Sequence, residues 1–317
     1  MTKPKVLILG QQPYEGLTEL RKYCDIQYQP TKVEQTWLSA HLSDFDGVLI
    51  KGIKVDRAFI DAGTKLKIIA TSSVGFDHID IAYARQHGIV VENTPKGVCL
   101  PTAELAITLM LTLRRRIVFY NMQMHQGKWP DLNDTKNLAI GLNGQTLGIF
   151  GMGRIGQRVA QIAKEFGVSV IYHNRHRLSE DLEQKLNAHY VSFEALVAQS
   201  DILSLHAPAT SETKNVVNGE VLKKMKSSAI LINVARGALV NQSDLIQALK
   251  AKQISGAGLD VFDDEPHVNL ELAALDQVIL TPHAGSGTHS AKLAVAKEAS
   301  RNLIAYLCEG KTQNRVN

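Results

Sequence analysis

Three short segments of the sequence carry an arginine, a glutamate and a histidine, residue types that together can bind an anion and move a proton. Arg236 lies in Asn233–Gly237, Glu265 in Asp260–Pro266 and His283 in Thr281–Gly287, and each segment follows an apolar run. A guanidinium can grip a carboxylate with two hydrogen bonds and polarise a neighbouring oxygen. A histidine favours its charged form beside a carboxylate and can then donate a proton. The set predicts protonation of an oxygen on a bound carboxylic acid.

Each of these residues also has an ordinary structural interpretation. Arg236 could form an ion pair, Glu265 could be a turn acid before Pro266, and His283 could be a satisfied loop histidine. Taken singly, these interpretations are favoured. The functional interpretation is strengthened when the three segments are taken together. The carboxyl ends of strands in a doubly wound sheet line the same crevice, so the three residues would face it together.

A glycine-rich loop supplies the context that the three segments need. Gly151-Met152-Gly153-Arg154-Ile155-Gly156 joins the apolar run Thr146–Phe150 to a helix-like stretch. In such a loop the glycines permit a tight turn, close approach of a pyrophosphate to backbone N–H groups, and close helix–strand packing. A glycine-rich turn that binds nothing is the alternative. The position between strand and helix favours a dinucleotide site, and Asp260 is then placed to accept a hydrogen bond from a nicotinamide carboxamide.

The residues after the second strand of this unit predict which dinucleotide is bound. NAD-binding versions place an acid there, whereas this chain has Asn174, 18 residues beyond Gly156, followed by Arg175 and, two residues on, Arg177. An asparagine removes charge repulsion, and an arginine beside it suits a 2′-phosphate. We expect NADP(H) to be preferred, with NAD(H) possible. The alternative is that the arginines are solvated loop charges.

Reduction of a 2-keto acid requires a hydride donor, a cation that binds the carboxylate and a group that donates a proton. The elements that must position them follow a parallel α/β pattern. Four apolar runs lie in the first third of the chain, and six more follow Gln145 at helix-sized spacing, which predicts a doubly wound sheet. Helices are predicted over Thr102–Arg116 and Ser290–Cys308, the second of which could pack on either domain. The ten predicted strands are Val6–Leu9, Gly47–Ile50, Leu66–Thr71, Gly88–Val91, Thr146–Phe150, Val168–Tyr172, Asp201–Leu205, Ala229–Val234, Gly256–Val261 and Val278–Thr281.

Length and composition narrow the class of protein. At 317 residues and 44% hydrophobic, the chain exceeds the size of a single growing core, which predicts two domains. A net charge of +4, scattered except at Arg114–Arg116 and Arg175–Arg177, predicts no nucleic-acid partner, although either cluster could hold a phosphate or lie at a solvated helix end. Cys24, Cys99 and Cys308 lack metal-ligand spacing and predict neither a metal site nor a disulfide framework. With no signal peptide and no apolar run of membrane-spanning length, we expect a cytoplasmic protein that binds no membrane.

Taken jointly, the motifs resemble the D-isomer-specific 2-hydroxyacid dehydrogenase family, and in particular its glyoxylate/hydroxypyruvate reductase branch. The resemblance runs over nearly the whole chain, with the motifs in the family's order. Besides the glycine-rich loop, they are His206-Ala207-Pro208 with Thr213, Val234-Ala235-Arg236-Gly237, Gly258-Leu259-Asp260-Val261-Phe262 and Pro282-His283.

The resemblance implies an α/β protein of two doubly wound domains, a Rossmann cofactor domain inserted in a smaller flavodoxin-like substrate domain. The substrate domain would be residues 1–99 and 287–317, and the dinucleotide-binding domain residues 100–286. The family also implies a homodimer and an enzyme that reduces glyoxylate or hydroxypyruvate with NAD(P)H, with His283 as proton donor and Glu265 as its charge partner.

Site residues follow from the same resemblance. Backbone N–H groups of Val74 and Gly75 would hold the substrate carboxylate with Arg236, and His283 would contact the substrate. The cofactor contacts would be Gly151, Gly153, Arg154, Ile155, Gly156, Asn174, Arg175, His206, Pro208, Thr213, Val234 and Asp260.

Some positions depart from the family's pattern. Pro101 stands where many members have a small polar residue, which bears on hinge geometry, and Lys51-Gly52 differs from the commoner polar pair, which leaves substrate size open. Trp129 could lie near a neighbouring subunit's site or simply in a dimer interface. Another 2-hydroxyacid dehydrogenase, of the 2-ketogluconate, phenylpyruvate or 3-phosphoglycerate type, is the alternative enzyme. A dinucleotide-sensing module like the corepressors that resemble this family is the alternative outside catalysis.

Overall fold

A computed structural model describes residues 2–31 and 33–317 of the chain. It contains twelve strands in two wholly parallel sheets. The strands are β1 Lys5–Leu9, β2 Asp25–Gln29, β3 Gly47–Ile50, β4 Ile68–Thr71, β5 Val90–Glu92, β6 Thr146–Phe150, β7 Ser169–His173, β8 Ala188–Tyr190, β9 Ile202–Leu205, β10 Ile230–Asn233, β11 Gly256–Leu259 and β12 Val278–Leu280.

Helices connect these strands, as parallel pairing requires. Short 3₁₀ helices lie at Tyr14–Leu17, Leu42–Asp44, Thr135–Asn137 and Gly237–Leu239. The α-helices are α1 Leu20–Tyr23, α2 Gln35–His41, α3 Arg57–Ala62, α4 Ile81–Gln86, α5 Cys99–Arg114, α6 Ile117–His125, α7 Arg154–Lys164, α8 Glu180–Leu186, α9 Phe193–Gln199, α10 Gly219–Lys224, α11 Gln242–Lys250, α12 Leu270–Ala273 and α13 His289–Glu309. Within the described residues, no helix is both long and apolar enough to cross a bilayer.

The chain divides into two compact units, Met1–Cys99 with Ser286–Asn317, and Leu100–Gly285. The second unit thus ends one residue before the predicted boundary at Ser286. In the first unit the strand order is β2-β1-β3-β4-β5, which is the flavodoxin-like order. In the second unit the order β12-β11-β10-β9-β6-β7-β8 is the Rossmann order extended by one strand. The predicted α/β fold class is confirmed.

Strand β3 illustrates why these segments form a sheet. Its four residues are all buried, as in a parallel sheet covered on both faces, where strands are continuous apolar runs rather than alternating ones. The two strands that the sequence analysis missed, β2 and β8, are the outer strands of one edge of each sheet. Their side chains are largely only partly buried or exposed, so they lack the apolar run that marks a central strand.

Helix α13 packs in the first unit, which decides where the C-terminal helix belongs. Ala299 and Leu303 are fully buried against the sheet face formed by Ile8, Leu49 and Ala70. A Cβ added to Gly16 would lie 2.4 Å from the Cβ of Ala296, so this glycine allows the N-terminal 3₁₀ helix to touch α13. The helix begins after Thr288, whose hydroxyl accepts a hydrogen bond from the N–H of Ala291.

The helix predicted over Thr102–Arg116 needs correction. Helix α5 begins three residues earlier than predicted, at Cys99, and ends two residues earlier, at Arg114, because Arg116 has a left-handed conformation with φ +52°. The thiols of Cys24 and Cys308, far apart in the sequence, lie close enough for Cys308 to raise the pKa of Cys24. Burial is the main cause that raises the pKa of Cys24 to about 12, and both cysteines are reduced.

Candidate active site

The glycine-rich loop lies at the carboxyl end of β6, where the chain order of the second sheet reverses between β6 and β9. Gly151 has φ +98°, and a Cβ there would lie 2.5 Å from the backbone N of Ala207. A Cβ on Gly156 would lie 2.5 Å from the carbonyl oxygen of Gly151, so this glycine allows α7 to pack closely on the turn. Among residues 2–31 and 33–317, nothing lies within 4 Å of the position that a Cβ on Gly153 would take.

This arrangement fits a dinucleotide pyrophosphate. Gly153 is the residue before the first turn of α7 and presents an open approach to backbone N–H groups at a helix N-terminus. Filling that approach with a side chain would block a phosphate, whereas the other two glycines serve the turn and the packing.

His206 lies beside this loop, at the end of β9. Its Nε2 is 2.8 Å from the Oγ of Ser204, while its Nδ1 is buried without a hydrogen-bond partner in the described part of the chain. Burial lowers the pKa of His206 to about 3, so the ring is neutral. A neutral ring with one unpaired buried nitrogen next to the glycine-rich loop is consistent with its predicted place among the cofactor contacts.

The end of β7 closes the other side of the loop. The Oδ1 of Asn174 accepts a hydrogen bond of 2.6 Å from the N–H of Met152, so the asparagine side chain holds the glycine-rich loop. The side chain of Arg175 is 79% exposed, and its guanidinium is 3.8 Å from the carboxylate of Glu212, which is 69% exposed.

Arg177 is engaged elsewhere. It makes two hydrogen bonds, of 2.9 and 2.7 Å, to the carboxylate of Glu183. The hydroxyl of Tyr172 donates to the same carboxylate. Hydrogen bonds from Arg177 and Tyr172 lower the pKa of Glu183 to about 2. Arg177 is therefore paired with Glu183 rather than solvated alone, whereas the more exposed Arg175 lies next to Asn174.

The other basic cluster is structural. Arg114 is 3% exposed and donates to the carbonyl oxygens of Ser228 and Asp201. Arg116 donates to the carbonyl oxygen of Lys136. These guanidinium groups fasten the end of α5 to neighbouring loops, which excludes Arg114 as a surface phosphate site.

The three candidate acid–base segments follow β10, β11 and β12, which are adjacent and end at the same edge of the sheet. Asn233 shapes the first of them, because its amide donates to the carbonyl oxygen of Arg236 and accepts from the N–H of Ala235. A Cβ on Gly237 would lie 2.0 Å from the carbonyl carbon of Phe262. The glycine therefore brings the backbone next to Arg236 against the segment that carries Glu265.

Glu265 joins the second and third segments. One of its carboxylate oxygens accepts a hydrogen bond of 3.0 Å from the N–H of Phe262, and the other lies 2.7 Å from the Nδ1 of His283. The contact fixes the imidazole through Nδ1 and leaves Nε2 as the ring nitrogen for proton transfer. His283 is half-exposed and has φ +51°, an uncommon conformation for a residue other than glycine.

Asp260 has a different environment from the predicted one. It is 0% exposed, and its carboxylate accepts from the Thr281 hydroxyl at 2.6 Å and from the N–H groups of Ala284 and Gly285 at 2.6 and 2.9 Å. The backbone N–H of His283 also donates to the carbonyl oxygen of Asp260. Asp260 thus holds the loop on which His283 lies, and its contact with a nicotinamide carboxamide stays a prediction.

The remaining predicted residues are distributed as follows. Thr213 donates to the carbonyl oxygen of Pro208 at 2.7 Å, and Val234 is buried after β10. Val74 and Gly75 lie in the first unit, in the loop after β4, where Asn93 donates to the carbonyl oxygen of Val74 and Ser73 to that of Gly75. Among the described residues, no group of three or more His, Cys, Asp or Glu side chains is placed so that it could hold a metal ion.

The fold and this edge of the sheet are those of an enzyme of the Rossmann class, with a dinucleotide cradle and a histidine–carboxylate pair at the same carboxyl edge. The model of the family "D-isomer specific 2-hydroxyacid dehydrogenase, NAD binding domain" matches residues 107–285. A glyoxylate reductase of Thermococcus litoralis is 42% identical over 99% of this chain and 97% of its own length. One from Aeropyrum pernix is 40% identical over 100% of this chain and 97% of its own.

Solved structures agree. A glyoxylate reductase from Paecilomyes thermophila has a TM-score of 0.92 at 31% identity and covers 100% of this chain and 99% of its own. An NADPH-dependent glyoxylate/hydroxypyruvate reductase from Sinorhizobium meliloti, in complex with NADP and malonate, has a TM-score of 0.89 at 31% identity. The match covers 99% of this chain and 97% of that one. The chain belongs to the D-isomer specific 2-hydroxyacid dehydrogenase family. It is an NAD(P)-dependent oxidoreductase, as the family resemblance in the sequence had implied.

The position of Asp260 generates a prediction about stability. Asp260→Asn replaces one carboxylate oxygen by an NH₂ group that faces backbone donors, so we expect the free energy of unfolding to fall by about 1–3 kcal/mol. Amide hydrogen exchange at Ala284 and Gly285 should become faster. Denaturant unfolding and exchange measured by mass spectrometry check this, with Asp263→Asn, an exposed neighbour, as the control. Equal effects of the two substitutions would contradict the holding role of Asp260.

Proposed function

We propose that the protein reduces a small 2-keto acid, glyoxylate or hydroxypyruvate, to the D-2-hydroxy acid. The observation that carries the proposal is the 2.7 Å contact between Glu265 and His283, at the edge of the sheet that also carries the dinucleotide cradle. The curated relatives named as glyoxylate reductases support the substrate class. A nicotinamide dinucleotide, when bound, would supply the hydride.

Each residue of the set has one role in this proposal. Arg236 binds the substrate carboxylate and polarises the keto oxygen. His283 donates a proton from Nε2 to the oxygen that becomes the hydroxyl, and Glu265 stabilises the charged imidazole through Nδ1 without taking the proton. Val74 and Gly75 of the first unit are proposed to contribute backbone N–H groups to the carboxylate, which would make that unit the substrate domain.

Two alternatives have consequences that differ from this proposal. A 2-hydroxyacid dehydrogenase of the 2-ketogluconate, phenylpyruvate or 3-phosphoglycerate type would neglect glyoxylate and hydroxypyruvate alike. A corepressor-like dinucleotide sensor would bind the cofactor and reduce nothing. The Glu265–His283 pair favours catalysis, because a sensor has no use for a proton donor.

Kinetics of two variants test the roles of His283 and Arg236. His283→Ala should lower kcat by about 100-fold or more with a smaller effect on KM, since proton donation matters chiefly in the transition state. Arg236→Ala should lower kcat and also raise KM for the keto acid, because it removes substrate binding. His267→Ala, an exposed histidine close to Glu265 in the sequence, is the matched control. A near-normal kcat for His283→Ala would exclude it as the acid.

NADP(H) is proposed as the preferred cofactor. The residue at the end of β7 is Asn174, which has no carboxylate to offer the adenosine ribose. Its Oδ1 accepts a hydrogen bond from the N–H of Met152 in the glycine-rich loop. Arg175 presents an exposed guanidinium next to it. A planar cation at this position suits a 2′-phosphate, and the absence of an acid at position 174 removes the repulsion that would select against it.

The preference can be reversed by substitution. Wild-type protein should have a higher kcat/KM for NADPH than for NADH, and Asn174→Asp combined with Arg175→Ile should favour NADH by introducing an acid and removing the cation. Absorbance of the reduced cofactor at saturating keto acid measures both values. Glu180→Gln, which changes a charge at the start of α8, serves as the control. A wild-type protein that favours NADH would overturn the assignment.

We also propose a homodimer. Helix α6 has no buried residue in this chain, and Ile117, Val118, Met122 and Met124 on it are exposed. Trp129, in the segment after it, is 83% exposed. Apolar side chains exposed together are typical of an interaction surface, and a second copy would cover them. Whether Trp129 also reaches a neighbouring site stays a prediction.

Light scattering during gel filtration tests the dimer. The wild type should have twice the 34.8 kDa mass of one chain. Ile117→Asp combined with Met122→Asp should shift the mass toward one chain, because two charges would be buried at the interface. Leu270→Asp, at an exposed leucine on α12, should leave the mass unchanged. A monomeric wild type would contradict the proposal.

A further inference from the structure

Two of the three cysteines lie together in the first unit, although they are far apart in the sequence. Cys24 ends α1 and directly precedes β2, and Cys308 lies in the last turn of α13. Helices α1 and α13 pack against each other. The thiol of Cys308 is close enough to act on that of Cys24. The pair therefore joins the two stretches of chain from which this unit is assembled.

The period of α13 explains why Cys308 lies beside Cys24. Ile304 comes one helical turn before Cys308, and residues four apart lie on the same face of a helix. Ile304 is 7% exposed and belongs to the apolar cluster that also contains Cys24 and, from α1, Leu20. The face of α13 that covers α1 thus continues into Cys308 at the end of the helix.

The two thiols differ in their access to solvent. Cys24 is 2% exposed, and burial is the main cause that raises the pKa of its thiol to about 12. The thiol is therefore protonated near neutral pH and does not react first. Cys308 is exposed, so a small oxidant can reach its sulfur. An accessible cysteine next to a second one is the arrangement in which oxidation of the first is followed by a disulfide with its neighbour.

We propose that Cys24 and Cys308 are a redox modification site, at which a peroxide converts the two thiols into a reversible disulfide that fastens the end of α13 to α1. This inference does not depend on the proposed 2-keto acid reduction. Cys24 precedes its strand and so lies at the amino edge of the sheet, whereas Val74 and Gly75 follow β4 at the carboxyl edge.

The reaction balances with one molecule of hydrogen peroxide. The sulfur of Cys308, as thiolate, attacks one peroxide oxygen and the O–O bond breaks. Cys308 becomes a sulfenic acid, and the released hydroxide takes up the proton that the thiol had lost, giving water. The sulfur of Cys24 then attacks the sulfur of Cys308. As the S–S bond forms, the S–O bond breaks, and the hydroxide leaves with the proton of Cys24 as a second water. Two thiols are oxidised and one peroxide is reduced.

A count of free thiols tests the modification site. Full-length protein would be treated with a slight excess of hydrogen peroxide, unfolded, alkylated without a reductant and analysed by mass spectrometry. We expect the wild type to keep one of its three thiols and to yield a peptide pair that joins Cys24 to Cys308 within one chain. Dithiothreitol should restore all three thiols, because the step is reversible.

Two variants make this result specific. Cys308→Ser, at an exposed position, should form no disulfide within the chain. Cys99→Ser is the matched control and should form the same disulfide as the wild type, because the thiol of Cys99 donates instead to the carbonyl oxygen of Pro95 at 2.9 Å. A wild type in which Cys24 is still alkylated after the treatment, or in which the disulfide joins two chains, would overturn the site.

Thermal unfolding of the same samples measures what the disulfide does. It closes a loop of nearly the whole chain, and long loops lose the most conformational freedom in the unfolded state. We expect the oxidised wild type to have a Tm about 5 °C or more above that of the reduced wild type. Cys308→Ser should have the same Tm before and after peroxide. An equal Tm for the oxidised and reduced wild type would overturn the fastening role.

Discussion

The candidate active site depends on the hydrogen bonds that the buried carboxylate of Asp260 accepts. It accepts three hydrogen bonds from the loop after β12, and the carbonyl oxygen of the same residue accepts the N–H of His283. A buried charge is stable only when its oxygens are satisfied, so the loop must take this one conformation. That conformation includes the left-handed backbone of His283, which the hydrogen bonds to Asp260 hold in place.

The rest of the site follows from this fixed loop. With His283 in place, Glu265 reaches its Nδ1 while the other carboxylate oxygen is tied to Phe262. Gly237 brings the backbone beside Arg236 against Phe262, where a side chain at position 237 would collide. The parallel sheet contributes by ending β10, β11 and β12 at one edge. A cation, a carboxylate and an imidazole are thereby gathered from segments spread over about fifty residues of sequence.

Much of this could be predicted from the sequence, because its signals are local. The glycine-rich loop lies between a strand and a helix, and the three acid–base segments each follow an apolar run. What could not be predicted depends on contacts between distant segments. The burial of Asp260 under the loop after β12 and the proximity of Cys24 to Cys308 leave no local pattern. The edge strands β2 and β8 were missed for a related reason, since a half-exposed strand has no continuous apolar run.

Hydride transfer to a keto acid is the central claim, and isotopic labelling of the product measures it most directly. Purified protein would be given hydroxypyruvate and NADPH carrying deuterium at the transferable position, and the product analysed by mass spectrometry and chiral chromatography. The account predicts D-glycerate with one deuterium at C2, formed in step with loss of reduced cofactor. It is contradicted if the protein binds NADPH yet consumes none with hydroxypyruvate, glyoxylate, phenylpyruvate or 2-ketogluconate.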